Sequence, residues 1–154
     1  VRPVAPRRVL FHAPDAALRS RKSKAACAYL EDATVSPGSY IAEDADLRQC
    51  VLGPWTHIGS GVRLSQVVSH GCTKPQGHLN YDQELERNGH ARGIGAGSVL
   101  KNAIVGYNAS IGKNVTLVNK PDLPTFDAWE NGCVVRDGVI VVLKGATIPD
   151  DFEF

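Results

Sequence analysis

The sequence has no methionine and only 6% aromatic residues in 154 positions. A chain without an initiator methionine is expected to begin after processing or as a fragment. Cys27, Cys50, Cys72 and Cys133 stand singly, with no CxxC and no metal-ligand spacing. They read as free, mostly buried thiols of a reducing compartment. Apolar runs fall short of the ~18 residues that cross a bilayer, so no transmembrane segment is expected. A net charge of +1 gives no bulk attraction to nucleic acid or membrane. Among His12, His57, His70, His78 and His90 no pair is four or five residues apart, and a metal site needs about three convergent ligands. His57, in GPWTHIG, reads as the surface imidazole of a corner. No metal, no cofactor and no catalytic residue is expected from these residues.

What is present is a rhythm. In Gly93–Leu117, GIGAGSVLKNAIVGYNASIGKNVTL, an aliphatic residue recurs at Ile94, Leu100, Val105, Ile111 and Leu117, at spacings of six, five, six and six. Helical faces return every three or four residues and strand faces every second one, so neither explains it. A repeat of about six residues predicts an all-β parallel β-helix, with one short strand and one corner per hexad and three hexads per turn. The aliphatic guide residue points inward, and the small residue after it, as at Gly95, Gly106 and Gly112, leaves room for the backbone. Further guides are Val35, Ile41, Leu47, Leu52, Ile58, Leu64, Val142 and Ile148. Val35 to Leu52, Leu47 to Leu64 and Ile94 to Ile111 are each seventeen residues apart, which sets the coil length. The period does not show handedness.

Residues 1–34 form a basic irregular arm, with Arg2, Arg7, Arg8, Arg19, Arg21, Lys22 and Lys24 against the single acid Asp15 in the first 24. Residues 35–154 form the β-helix. Two insertions interrupt it, 69–92 and 119–133. In the first, Asn80 as N-cap, Gln83 three residues later and Asn88-Gly89 as a stop predict one short helix. The second carries Pro121, Pro124, Phe126 and Trp129, and two aromatics on an excursion suggest a docking surface. Val139–Leu143 reads as a strand covered on both sides.

The blocks RGIGAGSVLKNAIVGYNASIGKNVTLVNKPD and GVIVVLKGATIPDD, with an excursion between them, resemble the C-terminal left-handed β-helix domain of plant-type ADP-glucose pyrophosphorylase. The upstream order is similar too: an aromatic at Phe11, a basic linker, two coils and a polar insertion ending in GIG. The resemblance implies a left-handed coil and a plastid location, in the stroma or at the stromal face of a plastid complex. In that family a nucleotidyltransferase domain precedes the β-helix. Nothing in these residues resembles its glycine-rich loop, so the family's catalytic residues have no counterpart here. The family's β-helix contributes oligomer contacts and part of an effector site for phosphorylated activators or phosphate. One of its lysines matches Lys144 in VVLKGATIP. The other falls at Tyr107, where the family pattern DKNARIG becomes GYNASIG. Lys120, Arg19, Arg21, Lys22 and Lys24 are candidates to compensate, with solvated corner lysines as the plain alternative.

Two functional readings follow. The first is a non-catalytic binding or scaffolding subunit that docks onto a larger assembly of protein partners through Phe126, Trp129 and the basic arm. The second is a regulatory or oligomerisation part of ADP-glucose pyrophosphorylase, in starch synthesis, whose catalytic domain lies outside this chain. Other hexapeptide β-helices support zinc hydration and acyl transfer; the histidines here lack the spacing of zinc ligands, and acyl transfer through His70, His78 or His90 is the minor alternative.

Overall fold

In the computed structural model, residues 10–11, 28–73 and 91–154 are described. The expected helix after Asn80, the thiol of Cys27 and the basic residues Arg19, Arg21 and Lys22 lie outside them.

The described chain winds as a left-handed parallel β-helix with three faces. Each face has its own column of guide residues. On the first, Leu30, Leu47, Leu64, Leu100 and Leu117 are successive Cα partners. On the second the column is Val35, Leu52, Ser69, Val105 and Val142. On the third it is Ile41, Ile58, Ile94, Ile111 and Ile148. The three seventeen-residue intervals of the sequence are therefore true coil-to-coil registers. All the guides expected from the sequence are buried except Ile41, which is half-buried at the start of its column.

The first two faces share one eleven-stranded sheet because Arg63–Ser69 and Val99–Val105 each run across both. They turn at Gln66 (φ 57°) and Asn102 (φ 51°). The third face is a separate five-stranded sheet. Corners repeatedly need the left-handed backbone region, and most non-glycine residues found there are Asp or Asn: Asp32, Asp44, Asn102, Asn108, Asn114 and Asp151 all have positive φ. Their short polar side chains tolerate that region better than other L-residues do.

Glycine after the third-face guide has a different cause. Gly59, Gly95 and Gly112 are not in the left-handed region; a Cβ on each would strike the next coil. At Gly95 it would stand 2.4 Å from the carbonyl oxygen of Gly112.

Both interruptions differ in extent from the sequence reading. The coil continues past Ser69, where that reading starts the first insertion. Ser69 is a buried guide paired with Val105, and the Cys72 amide donates to the Pro54 carbonyl at 2.9 Å. Asn108 Oδ1 then accepts from the Thr73 amide at 2.6 Å. A hydroxyl in place of an aliphatic guide hides Ser69 from a purely hydrophobic template.

The second excursion is a flap of antiparallel strands. Thr125–Ala128 pairs with Cys133–Arg136, which pairs antiparallel with Val139–Val142 of the coil. Asp137 (φ 51°) and Gly138 (φ 79°) make the connecting two-residue turn, both in the left-handed region. This is the turn that strand twist favours in hairpins, and Asp-Gly is its sequence mark. Val139–Val142 is accordingly flanked along both edges, by Val99–Val105 and by the flap. Among the described residues no helix is long and apolar enough to cross a membrane.

Leu100→Ala should lower unfolding free energy by about 2–5 kcal/mol. Gly95→Ala, which adds one methyl against a backbone oxygen, should cost about 1–3 kcal/mol by overpacking. Urea denaturation of the two variants measures both; a Gly95→Ala midpoint equal to wild type would contradict the coil-to-coil contact.

Candidate functional site

Lys144 stands exposed at the corner between the second and third faces. The register Val105 to Val142 puts Tyr107 directly beside it on the neighbouring coil, and the Gly145 amide donates to the Tyr107 carbonyl at 2.9 Å. Tyr107 is itself an exposed aromatic, at 37%. Gly106 packs so closely under Lys144 that a Cβ there would lie 2.6 Å from the Lys144 nitrogen of the main chain. One ammonium and one phenol thus share this corner.

Lys120 is not part of it. It follows Thr116–Leu117 on the first face, so it belongs to a different edge of the prism. Its ammonium is engaged by the Glu153 carboxylate, and that contact holds the Glu153 pKa below the ordinary glutamate range, chiefly through the hydrogen bond and then through charge. A lysine already neutralised by a carboxylate offers little to a phosphate. The structure therefore separates two residues that the sequence reading groups together.

Phe126 and Trp129 both lie on the flap and are 45% and 59% exposed. The Phe126 ring meets Phe154 edge-on, with centroids 5.7 Å apart, so it also covers the C-terminal end of the coil. Trp129 opens the short 3-10 turn Trp129–Asn131 between the flap strands. Beside them Arg136 pairs with Asp127 at 2.5 Å. Thr125–Ala128 ends the larger sheet: among the described residues it has a partner along one edge only.

The other candidates carry little chemistry. His57 is in a strand rather than a corner, stacked on Tyr40 of the preceding coil with centroids 4.9 Å apart. Cys50, Cys72 and Cys133 are all buried. Burial pushes the Cys50 and Cys133 thiols up, away from the reactive thiolate. Among the described residues no group of three or more His, Cys, Asp or Glu converges as a metal site would require.

The geometry is that of a repeat scaffold with surface features at its corners and flap. The family model described as the GLGC left-handed parallel beta-helix domain matches residues 21–152, nearly the whole chain. The chain belongs to this family. Over 117 residues it is 32% identical to the glucose-1-phosphate adenylyltransferase large subunit 1, chloroplastic/amyloplastic, of Zea mays. That alignment covers 73% of this chain and 23% of the maize subunit, so the chain spans less than a quarter of that relative's length. What these residues contain is an ADP-glucose pyrophosphorylase-like β-helix domain. The sequence reading missed the antiparallel flap, for which Asp137-Gly138 was the available signal, and it did not single out the cationic residues of the first face, Arg48, Arg63 and Lys101.

The Glu153–Lys120 pair has a checkable pH signature. Because its folded pKa is depressed, its contribution is present above the unfolded glutamate pKa and is lost as pH falls through the lower folded value. Both side chains are exposed, so the effect on stability is small and the titration itself is the readout. Lys120→Ala should return the Glu153 carboxyl to the ordinary glutamate range in an NMR titration; an unshifted midpoint would show that Lys120 does not hold it.

Proposed function

We propose that this chain is a non-catalytic binding and scaffolding unit, a β-helix of the ADP-glucose pyrophosphorylase type that docks onto a larger protein assembly. One observation carries the reading: the flap ends in a strand, Thr125–Ala128, whose outer edge is unpaired among the described residues, and it bears two exposed aromatics, Phe126 and Trp129. Unpaired strand edges are templates for pairing with another chain, and aromatic anchors dominate interface energies. The Asp127–Arg136 pair flanks that edge with charge, which favours a selected partner over indiscriminate pairing. Because Phe126 also covers Phe154, Trp129 is the freer anchor.

The second reading is a regulatory or oligomerisation part of a plastid glucose-1-phosphate adenylyltransferase acting in starch synthesis. The maize relative supports it, as does the corner where Lys144 and Tyr107 adjoin. A phosphorylated effector bound there has one ammonium where the resemblance calls for two. Each charge-assisted contact contributes about 1.5–3 kcal/mol. Tyr107→Lys should therefore tighten phosphate binding at this corner about tenfold or more, in a way that Lys144→Ala reverses. Calorimetric titration of both variants tests it, and equal affinity in wild type and Tyr107→Lys would remove this effector reading.

For the assembly reading, this chain added to a native extract should migrate in a native gel well above the position of the same chain run alone. Trp129→Ser should release it to lower mass while its melting temperature stays within a degree or two, since Trp129 is mostly exposed. Persistence of the full assembly with Trp129→Ser and with the double variant Phe126→Ser/Trp129→Ser would overturn docking through the flap. Co-migration with a glucose-1-phosphate adenylyltransferase catalytic chain would favour the second reading over the first.

A further inference from the structure

The outer surface of the first face carries a cationic notch far from the flap and on a different side of the prism from Lys144. The registers align Glu31, Arg48, Ser65 and Lys101 in one outward column, and Tyr29, Asp46, Arg63 and Val99 in the next. Adjacent strands are about 4.8 Å apart, so Arg48 and Lys101 rise roughly 10 Å from each other with the short Ser65 side chain between them. Arg63 stands two residues before Ser65 on the same strand. A groove of about 160 Å³ lies over this point; its floor is largely apolar, from Leu64, Val99, Leu100 and Val118, and the charged side chains and Ser65 border it.

The three cations are not equivalent. Arg48 is fixed: its Nε and Nη2 donate to the two carboxylate oxygens of Asp46 at 2.9 and 3.0 Å, and its guanidinium lies 5.2 Å from the Tyr29 ring centroid. That pairing consumes Asp46 and raises the Arg48 pKa, and it leaves the Nη1 donors of a pre-oriented guanidinium unassigned. Glu31 adjoins Arg48 on the side away from Ser65. Arg63 and Lys101 are exposed and have no carboxylate partner among the described residues. Glu31 and Asp46 thus lie on the N-terminal side of the notch, Asp46 as the cross-strand neighbour of Arg63, and the C-terminal side presents Lys101 with no acid beside it in its column.

We propose that this notch binds a small phosphate-bearing anion, with Arg63 and Lys101 supplying charge, Arg48 a pre-oriented guanidinium and the Ser65 hydroxyl a central donor. Donors approach from three sides of one short side chain, which suits a tetrahedral oxyanion better than a planar carboxylate. Long, unpaired cationic side chains can lean over Ser65 to meet it. The groove is too small for a folded segment, and the strands beneath it are hydrogen-bonded on both sides, so no added strand can enter there. The site is independent of the docking and effector readings above, since it shares no residue with either.

The test is calorimetric titration of the full chain with inorganic phosphate, pyrophosphate and citrate at low ionic strength. Phosphate and pyrophosphate should bind, with an affinity that falls as salt is added, and citrate should bind at least several-fold more weakly than pyrophosphate. Arg63→Gln/Lys101→Gln should weaken pyrophosphate at least tenfold and Ser65→Ala a few-fold, while Lys113→Ala, which removes an exposed charge that belongs to neither site, leaves it unchanged. Circular dichroism melts guard against unfolding, and Lys101→Arg should restore most of the binding that Lys101→Gln removes. The proposal is overturned by absence of binding to the wild-type chain, by citrate binding as tightly as pyrophosphate, or by an Arg63→Gln/Lys101→Gln chain that is folded and binds as wild type does. Loss on Lys144→Ala alone would move the site to the Tyr107 corner instead.

Discussion

The structure depends on the register of one coil upon the next. Each backbone amide of a face donates to the carbonyl of the neighbouring coil, as in Gly95 to Ile111 and Val99 to Val115, both at 2.8 Å. Because the strands are parallel and the register constant, an inward residue stacks on an inward residue of the next coil. The first column is all leucine and the third all isoleucine, while the second mixes valine with Leu52 and Ser69. A slip of one residue would turn every guide to solvent. The same closeness forbids a Cβ at Gly59, Gly95 and Gly112 and calls for left-handed backbone at the corners. Trp55, at φ 59°, is the bulky exception, and its ring fills the space a Cβ on Gly38 would need.

This coil has an aliphatic interior, in which burial pushes the Cys50 and Cys133 thiols up. What it does is fix the distance between surface features. Outward positions repeat in columns one strand apart, so residues far apart in sequence, such as Arg48 and Lys101, become neighbours at known spacing. Among the described residues the flap is the element that departs from the repeat. It reverses chain direction, covers one edge of Val139–Val142 and presents a new edge in exchange. Recognition at corners, flap and outer faces fits the small stock of charged and aromatic residues that this chain exposes.

The coil was legible because its signal is redundant. Thirteen guides and three agreeing intervals of seventeen repeat the same statement, and the paired residues in the structure are the ones that those intervals join. Single departures from the template were harder to read. Ser69 occupies a guide position with a hydroxyl, and the coil looked finished one strand-end too early. Cys133–Arg136 has the composition of a coil strand but runs antiparallel, and only Asp137-Gly138 marked the reversal. Lys120 and Lys144 looked alike as basic corner residues, yet one is spent on Glu153 and the other is not.

The sequence by itself determined the repeat, its length, its inward residues and its family, because local spacing and the hydrophobic effect act on every coil in the same way. Tertiary structure alone decided which corner each lysine occupies, which carboxylate neutralises it, where the sheet ends in an open edge, and which cations gather around Ser65. Those outcomes depend on the turn between flap strands and on how the two insertions offset the coils they separate. Neither is written in the six-residue rhythm.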